Sequence, residues 1–177
     1  MTDTATSTDS ERDDLIAMLD KHRGLFLRTA DGLTEEQARL TPTVSALSVG
    51  GLIKHVTATE VQWLDFLEHG APDSGGVDWA SLNAAAYEAF ANGFRLLPDE
   101  TLAGALVAYA AVAARATELA RAVDLAATHA LPEAPWFEPG ASWSVRRVLL
   151  HLMAETSQHA GHADILRESL DGQRTMG

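Results

Sequence analysis

Ser142-Trp-Ser-Val-Arg-Arg-Val-Leu-Leu-His-Leu-Met-Ala-Glu155-Thr-Ser-Gln-His159-Ala-Gly-His162-Ala-Asp164 is the stretch whose reading decides the fold. It opens a run that reads as one long helix, from about Ser142 to Asp171. At roughly 100° per residue, Glu155, His159 and His162 fall within about 60° of one another. Three metal-capable side chains therefore share one face over two turns. Helix stability does not require this, because Glu and His suit a buried stripe poorly unless something pairs them. Borderline metals such as zinc bind readily to imidazole and carboxylate.

Working outward, the chain has 177 residues, 46% of them apolar. That is enough for one domain with its own core. Alanine is frequent and runs of Val, Ile and Thr are scarce, which predicts an all-α domain. The net charge is −12, so the basic footprint that phosphate-backbone binding needs is missing and a nucleic-acid partner is not expected. There are no cysteines. Disulfides, thiolate ligands and a cysteine nucleophile are excluded, and any metal must be held by His, Asp or Glu. The reading finds no apolar run of the length a membrane span needs, and no signal peptide in the polar first ten residues. It expects a cytoplasmic protein with a disordered leader over residues 1–9 and a single domain over 10–172. Monomer and homodimer both stay open.

The periodicity predicts three further long helices. The first runs from about Ser10 to Thr29, with Leu15, Met18, Leu19, Leu25 and Phe26 on its stripe. The second runs from Val49 to His69, with Leu52, Ile53, Val56, Trp63, Leu64 and Leu67, and is stopped by Gly70. The third is opened by Pro98-Asp-Glu-Thr101 and runs to about Leu125. Thr34 and Gln37 form a capping-box pattern for a short helix, and an Ala-rich stretch from Ser81 to Phe94 suggests another. Residues 71–80 read as a loop, and 128–141, with Pro132, Pro135 and Pro139, as a long irregular connection.

One helix face cannot surround an ion, so a metal site needs a ligand from elsewhere. His55, on the second long helix, is the natural candidate, although an isolated His on an apolar helix is more often a hydrogen-bonded core residue. His151 lies four residues before Glu155 and reads either as a hydrogen-bond partner of a ligand or as a helix contact. Arg167 reads either as an ion-pair partner or as a group reaching an anionic substrate or cofactor. Trp63, eight residues after His55 and on its face, reads as core packing or as a wall of the cofactor pocket. Trp136 and Phe137 either close the pocket mouth or cover the bundle end.

Two segments carry a resemblance. Ser48-Val-Gly-Gly-Leu-Ile-Lys-His55-Val and Trp143 through Gly172, with its His159-Ala-Gly-His162-Ala-Asp-Ile-Leu-Arg-Glu core, resemble the DinB-like superfamily. The resemblance implies an up-down-down-up four-helix bundle with short extra helices. It also implies a divalent metal, zinc or nickel with iron as a further candidate, between the second and fourth long helices. The common ligands of that superfamily are three histidines; here Glu155 stands where the first helix-4 histidine would be. The variant is similar to mycothiol-dependent maleylpyruvate isomerases with a His-Glu-His set, which maps onto His55, Glu155 and His159. His162 is then a fourth ligand, a partner that orients the ligands, or a catalytic base.

Three protein ligands leave an open metal position, the arrangement of a catalytic ion. The expected activity is a metal-dependent S-transferase or isomerase that uses a small thiol, mycothiol or similar, against an electrophilic substrate. A metal-dependent hydrolase and a non-catalytic metal-binding or stress-related domain are the alternatives.

Overall fold

Each of the main helices after the first starts at a side chain that caps its first turn. The computed structural model describes residues 3–71 and 83–175. Helix α1 spans Asp3–Arg28, α2 Glu35–Arg39, α3 Val49–His69, α4 Ala84–Asn92, α5 Leu102–Ala122 and α6 Val145–Asp171; strands β1, Thr128–Ala130, and β2, Ser142–Ser144, precede α6. The predicted capping box closes α2: Thr34 Oγ1 accepts from Gln37 N at 3.1 Å, and Gln37 Oε1 accepts from Thr34 N at 3.0 Å. Ser48, Thr101 and Ser144 cap α3, α5 and α6 in the same way through their hydroxyls. Gly172 ends α6 in the left-handed region, φ 78°, where a side chain would be strained.

The helix directions follow from which ends meet. Arg146 at the start of α6 pairs with Glu11 near the start of α1, and Arg167 near the end of α6 donates to the carbonyls of Thr29 and Asp31, just beyond α1. These two helices run parallel. Arg12 donates to the carbonyls of Ala120 and Val123, so α5 runs opposite to α1. Lys54 near the start of α3 pairs with Glu100, just before α5, and Asp65 and Glu68 near the end of α3 pair with Arg115 in the second half of α5, which makes α3 and α5 parallel. The order is up-down-down-up, as expected. The return between the two parallel helices is long, and α4 lies within it.

Among the described residues the core has two apolar clusters that share Trp63 and Leu119 as partly buried neighbours; the larger runs through α1, α3, α5 and α6. Phe26, Leu52, Ile53, Leu64, Tyr109 and Leu152 are its largest fully buried side chains, and Phe26 meets Tyr109 edge-on with ring centres 5.7 Å apart. It also holds a buried ion pair that the sequence reading missed. Arg23 reaches Glu60 through Nε at 3.2 Å and Nη2 at 2.5 Å, and both side chains are at most 5% exposed. The signal was present: Arg23 lies between Leu19 and Phe26, and Glu60 between Val56 and Leu64, both on apolar stripes.

Several expectations are corrected. α1 begins at Asp3 rather than near Ser10, so residues 3–9 continue the helix instead of forming a disordered leader. α5 ends at Ala122, short of Leu125, and α4 is shorter than the stretch from Ser81 to Phe94. Apart from Ala71, the loop expected over 71–80 lies outside the described residues. The connection expected to be irregular over 128–141 is bounded by strands that pair antiparallel, with His129 opposite Trp143. Ser142 and Trp143 therefore belong to a strand, and α6 starts at Val145. Finally, α5 is long and apolar enough to cross a membrane by length and composition, where the reading found no such run. In this fold it is a bundle helix, with Leu102, Tyr109, Val112, Ala116 and Ala120 buried against its neighbours.

Candidate metal centre

Helices α3 and α6 pack antiparallel, so residues near the start of one meet residues in the second half of the other. That packing brings His55 of α3 to Glu155 and His159 of α6. One donor atom from each lies within 4.8 Å of the others, and His159 Nε2 is 3.6 Å from Glu155 Oε2. Donors around a tetrahedral ion with bonds of 2.0–2.2 Å sit about 3.3 Å apart, so small side-chain adjustments complete the set. The His55 and His159 rings meet edge-on, with centres 4.8 Å apart.

The electrostatics suit a cation. Burial lowers the pKa of both His55 and His159, against which Glu155 pulls upward. The imidazoles are thus held neutral, the form that binds metal, beside a carboxylate that supplies negative charge. Among the described residues His159 Nδ1 is buried with no hydrogen-bond partner, which is costly unless the site supplies one. The residues present therefore fit a divalent ion with nitrogen and oxygen ligands.

His162 is not in the converging set. Its ring lies 5.6 Å from that of His159, and its Nδ1 is buried and without a partner among the described residues. His151 belongs closer to the centre than the sequence showed. Its Nε2 is 3.8 Å from Glu155 Oε1, on the side away from His159. Glu155 is therefore flanked by two imidazoles on its own helix, each one turn away.

An aromatic column continues from His151. Trp63 and Trp143 stack face to face at 4.9 Å, and the His151 ring stands edge-on to both. Phe137 meets Trp143, Trp136 meets Phe137, and the Arg147 guanidinium lies 4.6 Å from the centre of the Trp143 ring. Trp63 thus stacks on a second tryptophan and borders the neighbour of Glu155. On the other flank Phe94, just after α4, stacks on His55 with ring centres 3.9 Å apart and planes 21° from parallel. The sequence put Phe94 at the end of an Ala-rich helix and Trp143 in the first turn of α6, but periodicity could not show that either reaches the site, because both contacts arise through tertiary packing.

Arg167 takes the ion-pair role. It is 2% exposed, with Nε and Nη2 on Asp171 and Nη1 on the Thr29 and Asp31 carbonyls, so its donors are committed to tying α6 to the end of α1. The alternative, contact with an anionic substrate or cofactor, is not supported by this geometry. A second cluster of ligand type, Asp65, Glu68 and His69, is exposed. Its two carboxylates already hold Arg115, and His69 Nδ1 lies 3.1 Å from the Asp65 carbonyl.

Comparisons with known proteins agree with this architecture. A conserved protein from Enterococcus faecalis has a similar fold, with a TM-score of 0.65 at 15% identity, covering 91% of this chain and 97% of that one. No curated protein matches the sequence. The mycothiol-S-transferase family matches residues 14–172, which contain all four main helices but for the first turns of α1. The chain belongs to that family, a DinB-like one.

Proposed function

We propose that this protein is a divalent-metal-dependent S-transferase that joins the sulfur of mycothiol, or a similar small thiol, to an electrophilic carbon. The observation that carries the reading is the convergence of His55, Glu155 and His159 within 4.8 Å from two antiparallel helices, in a chain that belongs to the mycothiol-S-transferase family. Zinc suits the donor set best; nickel and iron accept the same ligands.

A bound cation would lower the pKa of an entering thiol, so that it reacts as thiolate at neutral pH. The chain's own residues do the rest. His55 and His159, kept neutral by burial, and the Glu155 carboxylate would hold the ion, and three protein ligands would leave a coordination position for the thiol. His162, one turn from His159 on the same helix, is the residue proposed to accept the thiol proton. Its Nδ1 is buried, which leaves Nε2 as the nitrogen that exchanges a proton with what enters. The sulfur then forms a bond to the electrophilic carbon while the leaving group departs with its electron pair. The thiol proton passes to His162 and on to solvent.

The test is transfer of mycothiol onto an alkyl halide, with glutathione as the competing thiol. Activity that requires mycothiol, falls on chelation and returns with zinc or nickel is the expected result. A protein that holds metal but moves no thiol onto any electrophile would instead be a metal-binding domain. Chelator-resistant transfer would remove the metal from the reaction.

A further inference from the structure

We propose that Phe94 is a positioning residue for the metal centre: it fixes the plane of the His55 imidazole, and the Gly50-Gly51 pair at the start of α3 exists to seat it. The inference rests on the metal reading above and extends it to residues outside the ligand set.

Among the described residues, no hydrogen bond fixes the His55 ring; what lies against it is the face of Phe94, at 3.9 Å. Histidine ligands elsewhere are usually oriented by a hydrogen bond from the nitrogen that does not bind the metal. Here an aromatic face takes that place. A stacked ring leaves rotation within the plane free, and Glu155 and His159 select among those orientations. It forbids the tilts that would swing the nitrogen out of the site.

Phe94 can do this only if its own backbone is fixed, and it is held from two directions. A Cβ on Gly51 would come within 1.9 Å of the Phe94 carbonyl oxygen and 2.6 Å of its carbon, so only glycine permits this approach. A Cβ on Gly50 would meet Leu96 Cδ1 at 2.5 Å and the Ala38 carbonyl oxygen at 3.0 Å. The segment after Phe94 is then clamped. Arg39 donates to the carbonyls of Leu96 at 2.7 Å and Leu97 at 3.2 Å, and also to that of Glu100. Lys54, the neighbour of His55, donates to Glu100 at 2.7 Å and to the Arg95 carbonyl at 3.3 Å. Glu100 in turn accepts from Leu97 N at 2.7 Å. The run Gly50-Gly51-Leu52-Ile53-Lys54-His55 thus acts as a unit: two glycines admit the segment, a lysine ties it, and a histidine receives its ring.

The test compares full-length protein with Phe94→Leu, which keeps bulk but loses the ring face, and Phe94→Tyr, which keeps the face. Zinc affinity is measured by competition with a chromophoric chelator. Ligand geometry is read from the visible spectrum of the cobalt-loaded protein. Stability is read from the melting temperature of the metal-free form. We expect Phe94→Leu to bind zinc about 10- to 100-fold more weakly, the range seen when a partner that orients a ligand histidine is lost. Its cobalt spectrum should change while its metal-free melting stays near that of the parent, and Phe94→Tyr should restore all three. Equal zinc affinity and an unchanged cobalt spectrum in Phe94→Leu would overturn the proposal. So would a loss of metal-free stability in both variants, which would make Phe94 a packing residue. A parent protein that binds no metal would overturn the underlying reading as well, and that arm is separate from the variants.

Discussion

Glu155 sits between two imidazoles, 3.6 Å from His159 Nε2 and 3.8 Å from His151 Nε2, and its role distinguishes this site from one built on three histidines. As the proposed ligand it would lower the charge of the site by one, which would hold a cation more tightly and leave a bound thiol less acidic. Glu155→Ala should therefore lose most of its metal, whereas His162→Ala should keep metal and lose transfer. Metal content of both variants by elemental analysis decides, and exchanged phenotypes would make His162 the ligand. At the same scale lies the buried Arg23–Glu60 pair. Removing one partner strands a charge, so Glu60→Ala should cost about 3–5 kcal/mol in denaturant unfolding. Replacing both by apolar residues, Arg23→Met with Glu60→Leu, should recover most of that loss. A double variant as unstable as the single would show that the pair contributes more than mutual compensation.

Among the elements, α3 and α6 were the most legible in sequence. Ser48 and Gly70 bracket α3, and Gly172 ends α6, because caps and stops are local chemistry that spacing alone reveals. His55 was the natural candidate partner for α6 from the residues, and the resemblance strengthened it, since periodicity fixes a helix face but not which helices meet. The contributions of Phe94 and Trp143 were hidden for the same reason: each depends on a contact between elements, whereas His151, one turn from Glu155 on the same helix, was readable from spacing. The strands around 128–144 were missed because three residues each give no readable alternation beside the prolines. Gly51 illustrates the other limit. The predicted helix from Val49 already contained it, but nothing in the sequence showed that a methyl group there would strike the Phe94 carbonyl. Gly51→Ala should destabilise the protein by about 1–3 kcal/mol, the usual range for overpacking, although alanine favours helix. An increase in melting temperature would mean that the segment moves aside freely.

The whole molecule couples this site to its stability. His55, His151 and His159 all have pKa values lowered, chiefly by burial. In the unfolded chain they protonate near the ordinary value of about 6.5. As pH falls below that, the unfolded state takes up protons that the folded state resists, so the metal-free protein loses stability until the lowered pKa values are passed. Melting of the chelated protein should drop between about pH 7 and pH 5.5, a window set by the ordinary histidine value. The slope should flatten in His55→Gln with His159→Gln. An unchanged slope would assign it to other groups.

Whether α3 and α6 close one ion between them is tested most directly by elemental analysis of tag-free protein beside His55→Ala, His159→Ala and Glu155→Ala. The account predicts about one zinc, nickel or iron ion per chain in the parent, as three converging ligands require, and little or none in any of the three variants. A parent without metal after growth and reloading, or variants that all retain it, would contradict the account.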